Sequence, residues 1–184
     1  MAEEPTGDTP RLAGVVYSGD TEIEQLLADL REKLTARRSL RLGGIVPRYG
    51  DLMANGRREM LFDDLMGGGA ISISQELGSG AESCILDVDG LARASLVILA
   101  AVEEGVDLVL AGKFAKQEAA GHGVRDEIGA ALVADIPTLV VLRDSQLGRW
   151  RDFVGDDWQR LPPDVDAILA WVDRATAATA KRPD

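Results

Sequence analysis

Residues 88–104 read VDGLARASLVILAAVEE, and residues 105–111 continue GVDLVLA. In the first stretch Leu91, Ala94, Leu96, Leu99 and Val102 fall on helical faces, and Asp87 or Asp89 stands where a carboxylate can accept the free N–H groups of a first helical turn. The spacing predicts a helix over residues 88–104. From Val106 to Ala111 the run is apolar except for Asp107, the pattern of a strand covered on both faces. A helix leading directly into such a strand is the crossover unit of a parallel sheet, whose neighbours cannot be joined by a tight hairpin.

The same alternation extends outward in both directions. Residues 12–17, LAGVVY, form a short apolar run that stops at Ser18, Gly19, Asp20 and Thr21. After it Ile23, Leu26, Leu27 and Leu30 recur at helical spacing as far as Arg37 and Arg38, with Asp20 or Thr21 as the cap. Residues 42–46 read as a second strand, ended by Pro47 near a sheet edge or turn, with a polar connection beyond. Residues 59–64 and 70–74 flank Met66, Gly67, Gly68 and Gly69, which suits a small antiparallel hairpin. Residues 126–134 and 164–178 read as helices and 136–142 as a strand. Strands alternating with helices give an α/β fold: a mostly parallel sheet with helices on both faces, plus the hairpin. Residues 1–10, rich in Glu, Asp, Thr and Pro without periodicity, read as a tail, residues 11–178 as one α/β domain, and 179–184 as a second tail.

Composition narrows the function classes. The 184 residues are 46% hydrophobic, enough for one sizeable core and short for two. Acidic residues outnumber basic ones 31 to 20, a formal charge of -11, and this field repels nucleic acid and anionic membranes. The single cysteine, Cys84, cannot close an internal disulfide, and the beginning of the chain lacks the basic and apolar segments of a secretory signal, so the expected compartment is the cytoplasm. The most apolar run, residues 94–110, is broken by Glu103, Glu104 and Asp107, and no membrane span is expected.

In parallel sheets, ligands bind beyond the carboxyl ends of the strands. Three loops qualify: residues 18–21, residues 112–123, and the segment beginning at Arg143 and running to Gln146. The first, with Ser18, Gly19 and Thr21, precedes a helix whose N–H groups could meet an oxyanion, yet it has one glycine, no lysine, and the carboxylates of Asp20 and Glu22. It therefore lacks the lysine-bearing phosphate loop, and a plain turn with a helix cap explains it equally. In the second loop Lys113 and Lys116 would focus an anion within an acidic protein, and Glu118 could orient a lysine or a water. The alternative is a solvated helix start capped by glycines. Gln75 belongs to residues 74–80, SQELGSG, which suit either an anion nest or an ordinary loop. Cys84 has no neighbouring base, and His122, the sole histidine, cannot build a zinc site with so few soft companions. Asp63, Asp64, Asp87 and Asp89 lack the spacing of a calcium loop and suit caps and turns better. Trp150, Trp158 and Trp171 suit a core or an interface.

Residues 74–78 (SQELG), 84–87 (CILD), 107–108 (DL) and 112–119 (GKFAKQEA) together resemble an uncharacterised bacterial family, often encoded beside molybdate-transport genes, over residues 11–171. That family is in turn similar to the small thermophile-type nucleoside-triphosphatases of the P-loop class. The resemblance implies a three-layer, P-loop-NTPase-like sheet. In those enzymes a strand ends in an acidic magnesium-and-water motif; here residues 112–118 occupy the matching stretch, with Gly112 and Lys113 in place of the leading acids and only Glu118 retained. With the phosphate-loop lysine and the acidic pair both gone, nucleotide hydrolysis by the usual route is expected to be nearly absent. The expectation is a non-catalytic binding or accessory protein for a small oxyanion, molybdate or tungstate, in molybdenum uptake or homeostasis. Its partner would be a molybdenum-pathway protein or a second copy of the chain. The alternative is a nucleotide-binding or nucleoside-triphosphatase-like enzyme with weak or altered activity.

Overall fold

The computed structural model describes residues 9–19, 21–75 and 85–179. The run at Leu12–Tyr17 is strand β1, buried at every position. Helix α1, Ile23–Thr35, follows and buries Leu27, Leu30 and Leu34. Each such side chain contributes roughly 1.5–3 kcal/mol when removed from water. Its N-cap is Glu22, without a side-chain capping bond. Thr21, expected as the cap, instead donates its N–H to the Ser18 carbonyl at 3.2 Å and closes a turn. Asp20, the other expected cap, lies outside the described residues.

Strand β2, Leu42–Leu52, continues through Pro47, where a polar connection was expected. The reason lies in its partners. Residues Leu42 to Ile45 pair with a parallel neighbour, whereas from Pro47 onward the strand pairs only with β3, Arg58–Asp64, so the missing proline N–H interrupts no second ladder. The β2–β3 loop turns at Met53 to Gly56, where the Gly56 N–H donates to the Met53 carbonyl at 2.9 Å and Gly56, at φ +77°, takes the left-handed position that closes such a hairpin loop. β3 pairs antiparallel with β4, Gly69–Ser72, as the glycine-rich turn predicts. Short strands β5, Ser74–Gln75, and β6, Ile85–Leu86, form a separate antiparallel pair.

Helix α2, Val88–Glu104, has the expected bounds, and Asp87 caps it by accepting the Asp89 N–H at 3.0 Å. Asp107 stands just before β7, Leu108–Phe114, and bonds Arg41 rather than interrupting the strand. The short helix α3, Lys116–Ala119, and α4, Arg125–Val133, lead to β8, Thr138–Arg143. A 3-10 turn at Asp144–Gln146, helix α5 at Leu147–Val154, strand β9 at Gln159–Leu161 and helix α6 at Val165–Thr179 complete the order.

The seven-stranded sheet runs β4-β3-β2-β7-β8-β1-β9, parallel from β2 through β9 and antiparallel at the β2–β3–β4 end. One apolar cluster, with Ile98, Ile128 and Trp150, lies against α2, α4 and α5; the other, with Leu30, Ile168 and Trp171, lies against α1 and α6. This is the three-layer, P-loop-like α/β arrangement. Trp150 and Trp171 are core residues, and the Trp171 Nε1 donates to the Pro10 carbonyl at 3.3 Å, tying the supposed tail's last residue to α6. No helix among the described residues is long and apolar enough to cross a membrane.

Candidate functional site

The position of Lys113 depends on one glycine. β7 and β8 keep register at Val109↔Thr138 and Leu110↔Leu139, then resume at Lys113↔Val141 and Phe114↔Leu142. Three steps along β7 match two along β8, so β7 carries one extra residue. Gly112, at φ +68°, supplies it, a conformation that costs glycine no Cβ clash. The bulge resets the alternation of faces. Val109, Ala111 and Phe114 all lie in the α2/α4/α5 cluster, which uninterrupted alternation would forbid for Phe114. Lys113 is thereby turned to the face of its register partner Val141, which belongs to the α1/α6 cluster. Tyr17 of β1 lies on that face too and is in register with Arg143 of β8. Both cations therefore belong to strands, where loops after the strands had been expected.

α1 follows β1 on one face of the sheet, and α5 follows β8 on the other. Adjacent strands whose connections leave to opposite faces make the crevice in which α/β proteins hold ligands. A cavity of about 610 Å³ opens there. Lys113, Lys116, Glu118 and Arg143 line it, and so does the buried ring of Tyr17. The Arg143 guanidinium lies over that ring, 5.5 Å from its centroid. Burial lowers the Lys113 ammonium below the ordinary lysine range; Arg143 pushes in the same direction and Glu118 opposes it. Among the described residues, no carboxylate forms an ion pair with Lys113, Lys116 or Arg143.

The acids nearby are already engaged. Glu118 is buried, and its Oε2 accepts the Ala115 N–H at 2.9 Å while its Oε1 accepts the Val124 N–H at 3.3 Å. It is a clasp between the two ends of the 115–124 segment. Gly123 makes room for it, since a Cβ there would sit 2.1 Å from Oε1. Glu24, also in the lining, pairs with Arg58 at 2.8 Å. Arg48 reaches the cavity too, but its guanidinium pairs at 2.7 Å with Asp63, which also takes Arg31 at 2.6 Å.

The other expected ligand residues lie elsewhere. Ser18, Gly19 and Thr21 do not line the cavity; they form the exposed turn after β1, whose contribution comes through Tyr17. Gln75 is exposed on β5 and likewise outside the lining. Ser74, also on β5, accepts the Met60 N–H at 2.8 Å, while residues 76–80 of the segment and Cys84 lie outside the described residues. Asp64 accepts the Met66 and Gly68 N–H groups, so it and Asp87 serve as turn and helix caps. Among the described residues, no three His, Cys, Asp or Glu side chains gather as a metal site. Gln146, the end of the nominated segment beginning at Arg143, does line the cavity; the signals for Tyr17 and Arg48 were weak in sequence, because neither stands out until the register brings them together.

A curated relative from Bradyrhizobium diazoefficiens, molybdenum import ATP-binding protein ModC 2, is 40% identical over 175 residues, covering 95% of this chain and 19% of that protein. The chain thus spans about a fifth of the length of the curated relative it matches. No solved structure matches it. Residues 12–171, nearly all of both core clusters and every cavity residue discussed above, match the family described as Protein of unknown function (DUF2478), and the chain belongs to that family.

Proposed function

We propose that this chain is a non-catalytic oxyanion-binding accessory domain, with molybdate or tungstate as the first candidates, serving molybdenum uptake or homeostasis in the cytoplasm. One observation carries the reading: Lys113, Lys116 and Arg143 line a crevice at the carboxyl ends of β7 and β8 without a carboxylate partner among the described residues. Of the three, Lys116 and Arg143 are exposed, whereas Lys113 is partly buried; a cation held partly away from water with no carboxylate in ion-pair contact costs free energy, and a bound anion would remove that cost. The name of the Bradyrhizobium relative supports molybdenum as the context. The ATP binding in that name belongs to a protein of which this chain matches only 19%. We take residues 11–178 as the binding unit, with a molybdenum-pathway protein or a second copy as its partner.

A nucleotide-handling enzyme is the second reading, favoured by the P-loop-like sheet and the cavity volume. Against it stands Glu118, which is buried and whose two oxygens each accept a backbone N–H, so that the carboxylate serves to hold the 115–124 segment together. Thermal shift with molybdate, tungstate, sulfate, phosphate, and ATP or GTP with and without magnesium separates the two. A ligand at ~100 times its Kd stabilises the native state by about 2.7 kcal/mol. Selective stabilisation by molybdate and tungstate is expected. Stabilisation only by magnesium nucleotide would overturn the proposal in favour of the enzyme.

A further inference from the structure

The cavity is far larger than a bare oxyanion needs. One water molecule occupies about 30 Å³ in the liquid, and a tetrahedral oxyanion fills the room of only a few waters. The chamber of about 610 Å³ lies instead in the range of pockets for organic ligands, roughly 300–1,000 Å³. Its walls are mostly apolar: Leu27, Met60, Phe62, Ile73 and Phe114 contribute to them. Water gains little against such walls, and a bare ion seated at the cations would leave them uncovered.

Two further charged residues of the lining, Glu24 and Arg48, are paired with Arg58 and Asp63, so that among the described residues the charge without an ion-pair partner gathers at the strand-exit end. Lys113, Lys116 and Arg143 bring three positive charges and Glu118 one negative, which together match a dianion. The Arg143 guanidinium over Tyr17 keeps its in-plane N–H groups available for oxygen acceptors, which is how a stacked arginine meets a phosphate-like head. The apolar chamber and the charged end are continuous parts of one cavity.

We infer that the cavity takes an organic phosphate-type dianion, whose apolar, aromatic body fills the chamber while its oxyanion head lies on Lys113, Lys116 and Arg143. This rests on the anion-binding reading and names the ligand class. The ligand is bound without magnesium and is not turned over.

Titration calorimetry on the full chain at fixed ionic strength tests it, with 1-naphthyl phosphate, inorganic phosphate, molybdate, 1-naphthol and AMP as probes. 1-Naphthyl phosphate is expected to bind at least ~10-fold tighter than either phosphate or 1-naphthol, a step of about 1.4 kcal/mol. The double variant Lys113→Gln/Arg143→Gln should erase the advantage over 1-naphthol. Met60→Ser, altering a half-buried wall residue, should weaken 1-naphthyl phosphate and leave phosphate unchanged. AMP binding more tightly than 1-naphthyl phosphate, magnesium absent, would support the class and assign the body to a nucleoside. Equal affinity for phosphate and 1-naphthyl phosphate would overturn the inference while leaving the anion-binding reading intact. Equal affinity for 1-naphthol and its phosphate would also overturn it, and no binding of any anion would overturn both.

Discussion

Replacing Gly112 by alanine strikes the bulge that aims Lys113. A non-glycine residue in the left-handed region costs roughly 1–2 kcal/mol, and Gly112 sits at φ +68°. The added Cβ would meet Ile45 Cδ1 and Phe62 Cε1, both at 3.2 Å, close enough that these side chains must yield by a few tenths of an ångström. Such mild overpacking falls at the low end of the roughly 1–3 kcal/mol range. The narrower unfolded ensemble of alanine returns about 0.4–1 kcal/mol. The net expectation is a loss of about 2 kcal/mol in urea unfolding, together with a large loss of oxyanion affinity. A strand that escaped the strain by dropping the bulge would slip by one residue and turn Lys113 to the opposite face. Gly129→Ala is the control: its site in α4 has open space and no positive φ, so it should leave affinity unchanged and stability equal or slightly higher. A Gly112→Ala protein as stable as the parent, binding oxyanion with the parent's affinity, would refute the role of the bulge.

Three further outcomes follow from the same geometry. Glu118→Gln keeps the shape but sets an amide NH₂ against a backbone N–H, so urea unfolding should show a loss of roughly 1–3 kcal/mol, with faster hydrogen exchange at Ala115 or Val124. Lys113→Met should stabilise the ligand-free protein at neutral pH by about 0.5–2 kcal/mol, the usual gain on relieving a strained functional position, while abolishing anion binding. The sign for the parent protein is fixed by the lowered Lys113 value: between that value and the ordinary 10.5 the unfolded chain holds more protons, so this lysine's contribution to stability rises with pH across that window. Oxyanion affinity should do the reverse, falling as pH rises through the lowered Lys113 value; calorimetry in buffers of different ionisation heat should report proton uptake on binding, and Lys113→Arg should shift the fall to higher pH.

Much of the fold was legible in the residues because burial on two faces leaves a plain mark. LAGVVY at Leu12–Tyr17 and the periodic helix at Val88–Glu104 agree with the structure at both ends. The continuation of β2 past Pro47 was hidden, since whether a proline breaks a strand depends on how many neighbours that segment pairs with, a tertiary fact. Asn55 and Gly56 were the available hairpin signal. At the site, Lys113, Lys116, Glu118 and Arg143 were picked out as charged residues near strand exits, and all four line the cavity. Their arrangement was not visible, because an isolated glycine in an apolar run can mark either a strand end or a bulge, and only the Lys113↔Val141 register decides between them. Glu118 looked like a working acid; its bond to the Ala115 N–H is the reach of a third helical residue back to the N-cap, whereas its bond to the Val124 N–H, six residues after Glu118, follows no spacing rule.

The most direct test is to titrate molybdate into the parent protein and into Lys113→Gln, Lys116→Gln and Arg143→Gln variants at fixed ionic strength, after circular dichroism has shown each to be folded. Saturable binding by the parent, weakened ~10-fold or more when Lys113 or Arg143 is neutralised, is the expected result. Unchanged affinity across all three variants would contradict an anion site at the carboxyl ends of β7 and β8.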